Sequence, residues 1–113
     1  MGATEFGHTK IGRFKDSSEA YNDLVEEAQY DEGHDAYSGT IATTNGYNIY
    51  SDNPRFGTKA FNKWEDKSFD KMEKRDCYCI EITGAPFKRI KDNSRFKGKK
   101  GIKAFYFFGL AAC

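Results

Sequence analysis

The sequence predicts an α+β domain: an antiparallel sheet of four to five strands, an acidic amphipathic helix at about 17–32 on one face, and a shorter helical segment at about 58–75. Three observations carry that expectation. Apolar residues recur at helical spacing between positions 20 and 28, and alternate with other residues in 77–84 and 102–108. The charged share, 31%, would suit a disordered chain, but ten Phe, seven Tyr and one Trp supply large packing units that disordered chains lack. A length of 113 residues fits one domain, 1–113, with a core large enough to fold without staples.

The elements follow in order. Residues 3–14 read as a strand, with Gly7 and Gly12 as candidate bulge or bend points. Asp16 is placed to cap a helix, with Glu19 three residues on as its capping-box partner. Ala20, Tyr21, Leu24, Val25 and Ala28 form the apolar stripe, Tyr30 lies near its edge, and Gly33 marks the stop. Residues 37–44, a β-branched run, read as a second strand, and Asn45-Gly46 as a hairpin turn returning through a third strand near 47–50. Pro54 punctuates a loop. In 58–75, Phe61 with Trp64 and Phe69 with Met72 fit i, i+3. Residues 77–84 alternate as a strand, with Tyr78, Ile80 and Ile82 on one face and Cys77, Cys79, Glu81 and Thr83 on the other. Residues 87–101 read as a turn-rich, mobile connection. The last strand carries rings on both faces, which places it inside the sheet.

Charge is divided along the chain. Residues 16–35 hold eight acids and no base; residues 88–103 hold eight bases and one acid, Asp92. Such a split points to interaction surfaces, or to two segments that neutralise each other in the fold. No apolar run has the length of a membrane span, so no membrane partner is expected. The N-terminus shows no apolar signal core, and Phe6 stands where a myristoylation motif wants Ser or Thr. Three cysteines, an odd number, suit a reducing compartment.

The tract from Tyr30 through Gly33, His34, Tyr37, Gly39, Thr40 and Ile41, the Cys79-Ile80-Glu81 strand, and the closing Phe107-Phe108-Gly109 resemble a widespread group of small bacteriophage-encoded proteins with a Gly-His-x-x-Tyr-x-Gly-Thr-Ile pattern. The resemblance covers both ends and the first third of the chain, and little of the middle or the basic segment. It implies a viral origin, a host bacterial cytoplasm and an accessory role, with counter-defence (anti-CRISPR-like inhibition or nucleotide sponging) as the setting. It implies no reaction.

Candidate chemistry is thin. The Gly/Thr/Ser-rich tract (Ser38, Gly39, Thr40, Thr43, Thr44, Asn45, Gly46) offers hydroxyls and N–H groups to an anion, but follows a helix C-terminus, whose dipole repels anions, and lacks a Walker lysine. Its structural reading is a helix stop, a strand and a turn. His34-Asp35 could form a base with its orienting carboxylate, or simply close the helix C-terminus. Cys77, Cys79 and Cys113 with His8 or His34 could gather zinc, though Cys-x-Cys on one strand face sets the thiols roughly 7 Å apart; free thiols are the commoner outcome. No metal, no cofactor and no catalytic constellation is therefore expected, and no enzyme. Two binding surfaces remain. Asp23, Glu26, Glu27 and Asp31 can imitate a phosphate row and occupy a cationic groove of a bacterial defence protein, which is the leading expectation. Lys88, Arg89, Arg95, Phe96, Lys97, Lys99 and Lys100 can hold nucleic acid or a signalling nucleotide, the phosphates on the bases and a ring on Phe96, which is the alternative. For each charged surface the plain counter-reading is a solvated face. A virion-assembly role has no specific feature behind it.

Overall fold

The computed structural model describes residues 2–32, 39–50 and 54–112. In chain order the elements are β1 (Ala3–Gly12), α1 (Ser17–Glu32), a 3-10 turn (Ile41–Thr43), β2 (Asn48–Tyr50), α2 (Lys59–Lys71), β3 (Cys77–Ile82), α3 (Gly84–Asp92) and β4 (Lys103–Ala112). The four strands form one sheet in the order β1-β4-β3-β2. β4 pairs antiparallel with β1 and with β3, whereas β2 joins β3 in parallel. The sheet is therefore mixed. The antiparallel expectation holds for the two pairings of β4, and the third is reached through α2, because parallel neighbours need a crossover rather than a hairpin.

β4 is the spine. Its residues Phe105 and Phe107 belong to the core under α1, together with Phe6, Ala20, Leu24, Ile41, Cys77, Cys79 and Ala111. Tyr21 and Tyr47 close on Phe107 at 5.8 and 5.6 Å between ring centroids. Alternate residues face the other way. Phe108 meets Trp64 and Phe69 of α2 at 5.6 and 5.4 Å, and Tyr106 meets Phe56 and Phe61 at 5.1 and 5.9 Å. Each such ring pair contributes about 0.5–1.5 kcal/mol beyond the area it buries. A strand with rings on both faces needs cover on both faces, and the two helices supply it.

Two glycines permit close approach. A Cβ on Gly109 would lie 2.1 Å from the Asp76 carbonyl oxygen. The backbone there is held by Leu110 N–H donating to Asp76 O at 3.0 Å and Arg75 N–H donating to Leu110 O at 2.7 Å. A Cβ on Gly7 would lie 2.3 Å from the Tyr106 hydroxyl oxygen, so Gly7 makes room for a ring. It is neither a bulge nor a bend: β1 runs in unbroken register with β4 from Ala3↔Ala112 to Gly12↔Lys103.

Three local expectations are corrected. The part of 37–44 that is described is a 3-10 turn and no strand, because its threonines turn their hydroxyls onto the local backbone. Thr40 accepts from Ala42 N–H, Thr43 donates to Thr40 O, and Thr44 donates to Ile41 O. Asn45-Gly46 makes no hairpin: Asn45 N–H donates to Arg75 O, and β2 then enters the sheet in parallel. Residues 84–92 form a helix where Gly84-Ala85-Pro86 was expected to end the strand and 87–101 to run as a turn-rich connection. Helix α1 matches its expected span, with Asp16 accepting from Glu19 N–H at 3.1 Å. Among the described residues no helix is long and apolar enough to cross a membrane.

Candidate functional site

The register fixes where the charged segments sit. β1 leaves the sheet at Gly12, opposite Lys103, and α1 starts five residues later. At the other end of β4, Ala112 O accepts from Gly39 N–H just after α1. So α1 travels back along the sheet, and its later acids lie at the end away from the basic segment, which precedes Lys103. A strand of ten residues spans roughly 33 Å, several Debye lengths at physiological salt.

The acids of α1 are partly engaged. Asp16 caps the helix, and Glu19 reaches back to the Lys15 N–H. In the middle of the helix, Lys10 of β1 meets Asp23 at 2.7 Å and also bonds Glu27. Partial burial of the Lys10 ammonium opposes its charge, but the hydrogen bonds and charges of Asp23 and Glu27 outweigh that and raise its pKa above the ordinary 10.5. Glu26 and Asp31 stay exposed beside Tyr30, which is 91% exposed. Of the four acids singled out in the sequence, two serve the fold and two are open.

The basic end is built differently. α3 begins after Thr83, buries Pro86 in its first turn, and ends with Asn93, whose N–H and side-chain amide both bond Arg89 O. The chain continues in turns. Ser94 donates to Lys91 O at 2.7 Å and accepts from Phe96 N–H at 3.1 Å, Lys99 N–H donates to Phe96 O, and Gly98 and Gly101 take positive φ of 76° and 73°. This helix-and-turn unit holds out Lys88, Arg89, Arg95, Lys97, Lys99 and Lys100, and Lys103 opens β4 just beyond it, all exposed. Arg95 lies over the Phe96 ring at 5.0 Å, so this half-buried ring anchors a guanidinium. Among the described residues no carboxylate lies within ion-pair distance of any of these bases. Among the described residues no ion pair links the two charged segments. Two clefts near this end, of about 280 and 140 Å³, admit one base each, Arg55 and Lys103.

The remaining candidates resolve as structure or lie elsewhere. The Thr43 hydroxyl accepts from Ala112 N–H, and Thr44 pairs with the Tyr21 hydroxyl, so the threonine tract spends its polar groups inside the fold. Gly33, His34, Asp35, Tyr37, Ser38 and Cys113 lie outside the described residues. Cys77 and Cys79 are buried under α1; burial lifts both thiols, and for Cys79 burial with the nearby Glu81 charge reaches about 12, which leaves them protonated and unreactive. His8 stacks on Phe6. Among the described residues no three metal-ligating side chains gather.

Sequence reasoning missed two residues. Lys10 compensates the helix, a role visible only once β1 and α1 are neighbours. Arg75 joins three segments: its guanidinium donates to Thr43 O at 2.9 Å, its backbone ties Asn45 to Leu110, and its φ of 76° is unusual for a residue with a side chain. Nothing in its sequence context signals that.

Neither a family model, nor a curated protein, nor a solved structure matches the chain.

Proposed function

We propose that this chain is a binding protein, with no reaction of its own, whose basic end holds an extended polyanion, nucleic acid being the class that fits. One observation carries the reading: the cations of 88–103 are presented on an ordered helix-and-turn unit with no acid to neutralise them among the described residues. An ordered cationic surface pays little ordering entropy on binding. The clefts nearby gather too few bases for the several phosphates of a mononucleotide, which favours a backbone lying across the surface. The resemblance to phage proteins supplies the setting, a counter-defence role in the host bacterial cytoplasm. The test is fluorescence anisotropy with a labelled 20-nucleotide single strand and its duplex. With about five phosphates contacted, affinity falls roughly a hundredfold for the single strand and about five hundredfold for the duplex between 50 and 200 mM salt. A salt-independent affinity, or none at 50 mM, sinks the reading.

A second reading has its own observation. Tyr30 is exposed between Glu26 and Asp31, and an aromatic among carboxylates suits the cationic groove of a protein. This is inhibition of a bacterial defence component by stoichiometric binding. Tyr30→Ala together with Glu26→Lys would abolish inhibition and leave polyanion binding intact; inhibition that survives both changes excludes that surface.

A further inference from the structure

β1 is an edge strand of ten residues. Its pairing with β4 is unbroken, and it contains neither proline nor bulge. In such a strand alternate N–H and C=O groups point away from the sheet. Among the described residues none of them has another backbone partner. An edge of this kind is a template for one more strand.

Beside the edge, between β1 and the C-terminal half of α1, lies a cleft of about 420 Å³. Phe6, Leu24 and Ile41 line its apolar floor, Glu27 and Asp31 of α1 bring two carboxylates to it, and Glu5 borders it on β1. Only Glu27 of these has a cationic partner among the described residues, Lys10. Cleft and edge are contiguous, because Phe6 and Lys10 stand on the face of β1 that α1 covers. A strand laid along β1 would direct every second side chain toward α1, into that cleft.

We propose that the β1 edge and this cleft form one docking groove for an extended, positively charged segment of a partner protein, which adds a fifth strand to the sheet. Main-chain bonds to β1 supply the pairing, the apolar floor takes alternate side chains, and the carboxylates select basic residues among them. A second copy of this chain is disfavoured by charge. Antiparallel pairing of β1 with β1 about a two-fold axis keeps both α1 helices on the same face of the joined sheet, setting two acidic helices side by side. A cationic strand meets attraction there instead. The groove is independent of the polyanion surface, and it gives the acidic-surface reading a site that includes backbone.

The probe is a fluorescein-labelled ten-residue peptide of alternating Val and Lys, followed by anisotropy at 50 mM salt against the intact chain. The groove predicts saturable binding, at least about tenfold weaker for the peptide N-methylated at every second amide, and at least about tenfold weaker for Glu5→Lys combined with Asp31→Lys. Circular dichroism establishes that the variant is folded, and the N-methylated arm needs no variant. Binding should also slow hydrogen exchange of the β1 amides. Absence of binding, equal affinity for the N-methylated peptide, or indifference to the double reversal overturns the proposal. So does sedimentation of the chain alone as a dimer with protected β1 amides, which would assign the edge to a second copy. Reversing Lys97, Lys99 and Lys100 leaves peptide binding intact, so failure here is distinguishable from failure of the polyanion reading.

Discussion

The two charged regions look alike as counts and differ as structures. From Asp16 to Glu32 the acids begin and ride a regular helix laid along the sheet, and the fold answers several of them: Asp16 and Glu19 cap, while Asp23 and Glu27 close on Lys10. In 88–103 the bases stand on a short helix and a chain of turns beyond the sheet, and among the described residues no acid answers them. A charge run therefore says nothing of free charge until its neighbours are known. The difference follows from placement. A helix lying over β1 brings its acids within reach of a β1 lysine, whereas a connection at the sheet's end has neighbours on one side only.

Four measurements would break or sharpen this contrast. Gly109→Val strikes the strand whose length keeps the two regions apart. Its side chain must enter space held by the Asp76 carbonyl, and the cost is about 4 kcal/mol or more in urea unfolding, a large fraction of a small domain's stability. Next, Lys97→Glu, Lys99→Glu and Lys100→Glu together reduce nucleic-acid affinity by roughly a hundredfold, while Glu26→Lys with Asp31→Lys leaves it the same or tighter. Equal losses from both sets would erase the contrast. Third, Lys10→Met, which keeps most of the stem, costs about 1 kcal/mol after allowing for exposure of the carboxylates to water. The Lys10 pKa is raised by folding, so its contribution is complete below 10.5 and is lost as pH rises through the folded value. The gap between wild type and Lys10→Met should thus hold from neutral pH to about 10 and close above 10.5; a gap that persists at higher pH would mean packing rather than charge. Last and smallest, Tyr106→Phe removes the hydroxyl that bonds Glu65 and costs about 1 kcal/mol. Gly7→Ala should then be cheaper in that background than in wild type, because the oxygen it would strike is gone. Additive losses would place the Gly7 constraint elsewhere.

Much of the scaffold could be read from residue order alone. α1 was legible because its stripe, cap and stop agree, and β3 and β4 because their alternation is uninterrupted. The 3-10 turn was hidden by threonine, which favours strands by shape yet here serves as a local hydrogen-bonding group. α3 was hidden by Gly84-Ala85-Pro86, which reads as a strand ending. The signal lay in what that reading set aside: Thr83 at the N-cap, Pro86 within the first turn where a missing N–H costs nothing, and Phe87 with Ile90 at i, i+3. The parallel entry of β2 was illegible because Asn-Gly carries a strong local hairpin preference, which the distant bond to Arg75 overrides. At the charged surfaces, residue types were legible and availability was not. Lys10 sits 13 residues from Asp23, and only β1 lying beside α1 brings them together.

β4 is the last of the four strands in sequence and lies between β1 and β3. During synthesis neither neighbour has a partner across that gap until residues 103–112 have emerged from the ribosome. β2 and β3 can pair before then, but β1 waits more than ninety positions for its mate. Such long-range closure is slow, and the nascent chain exposes an unpaired strand and many rings throughout. Until residues 103–112 are in place the Phe6 side of the core lacks its central strand, so the folding rate of the domain hangs on one long-range pairing.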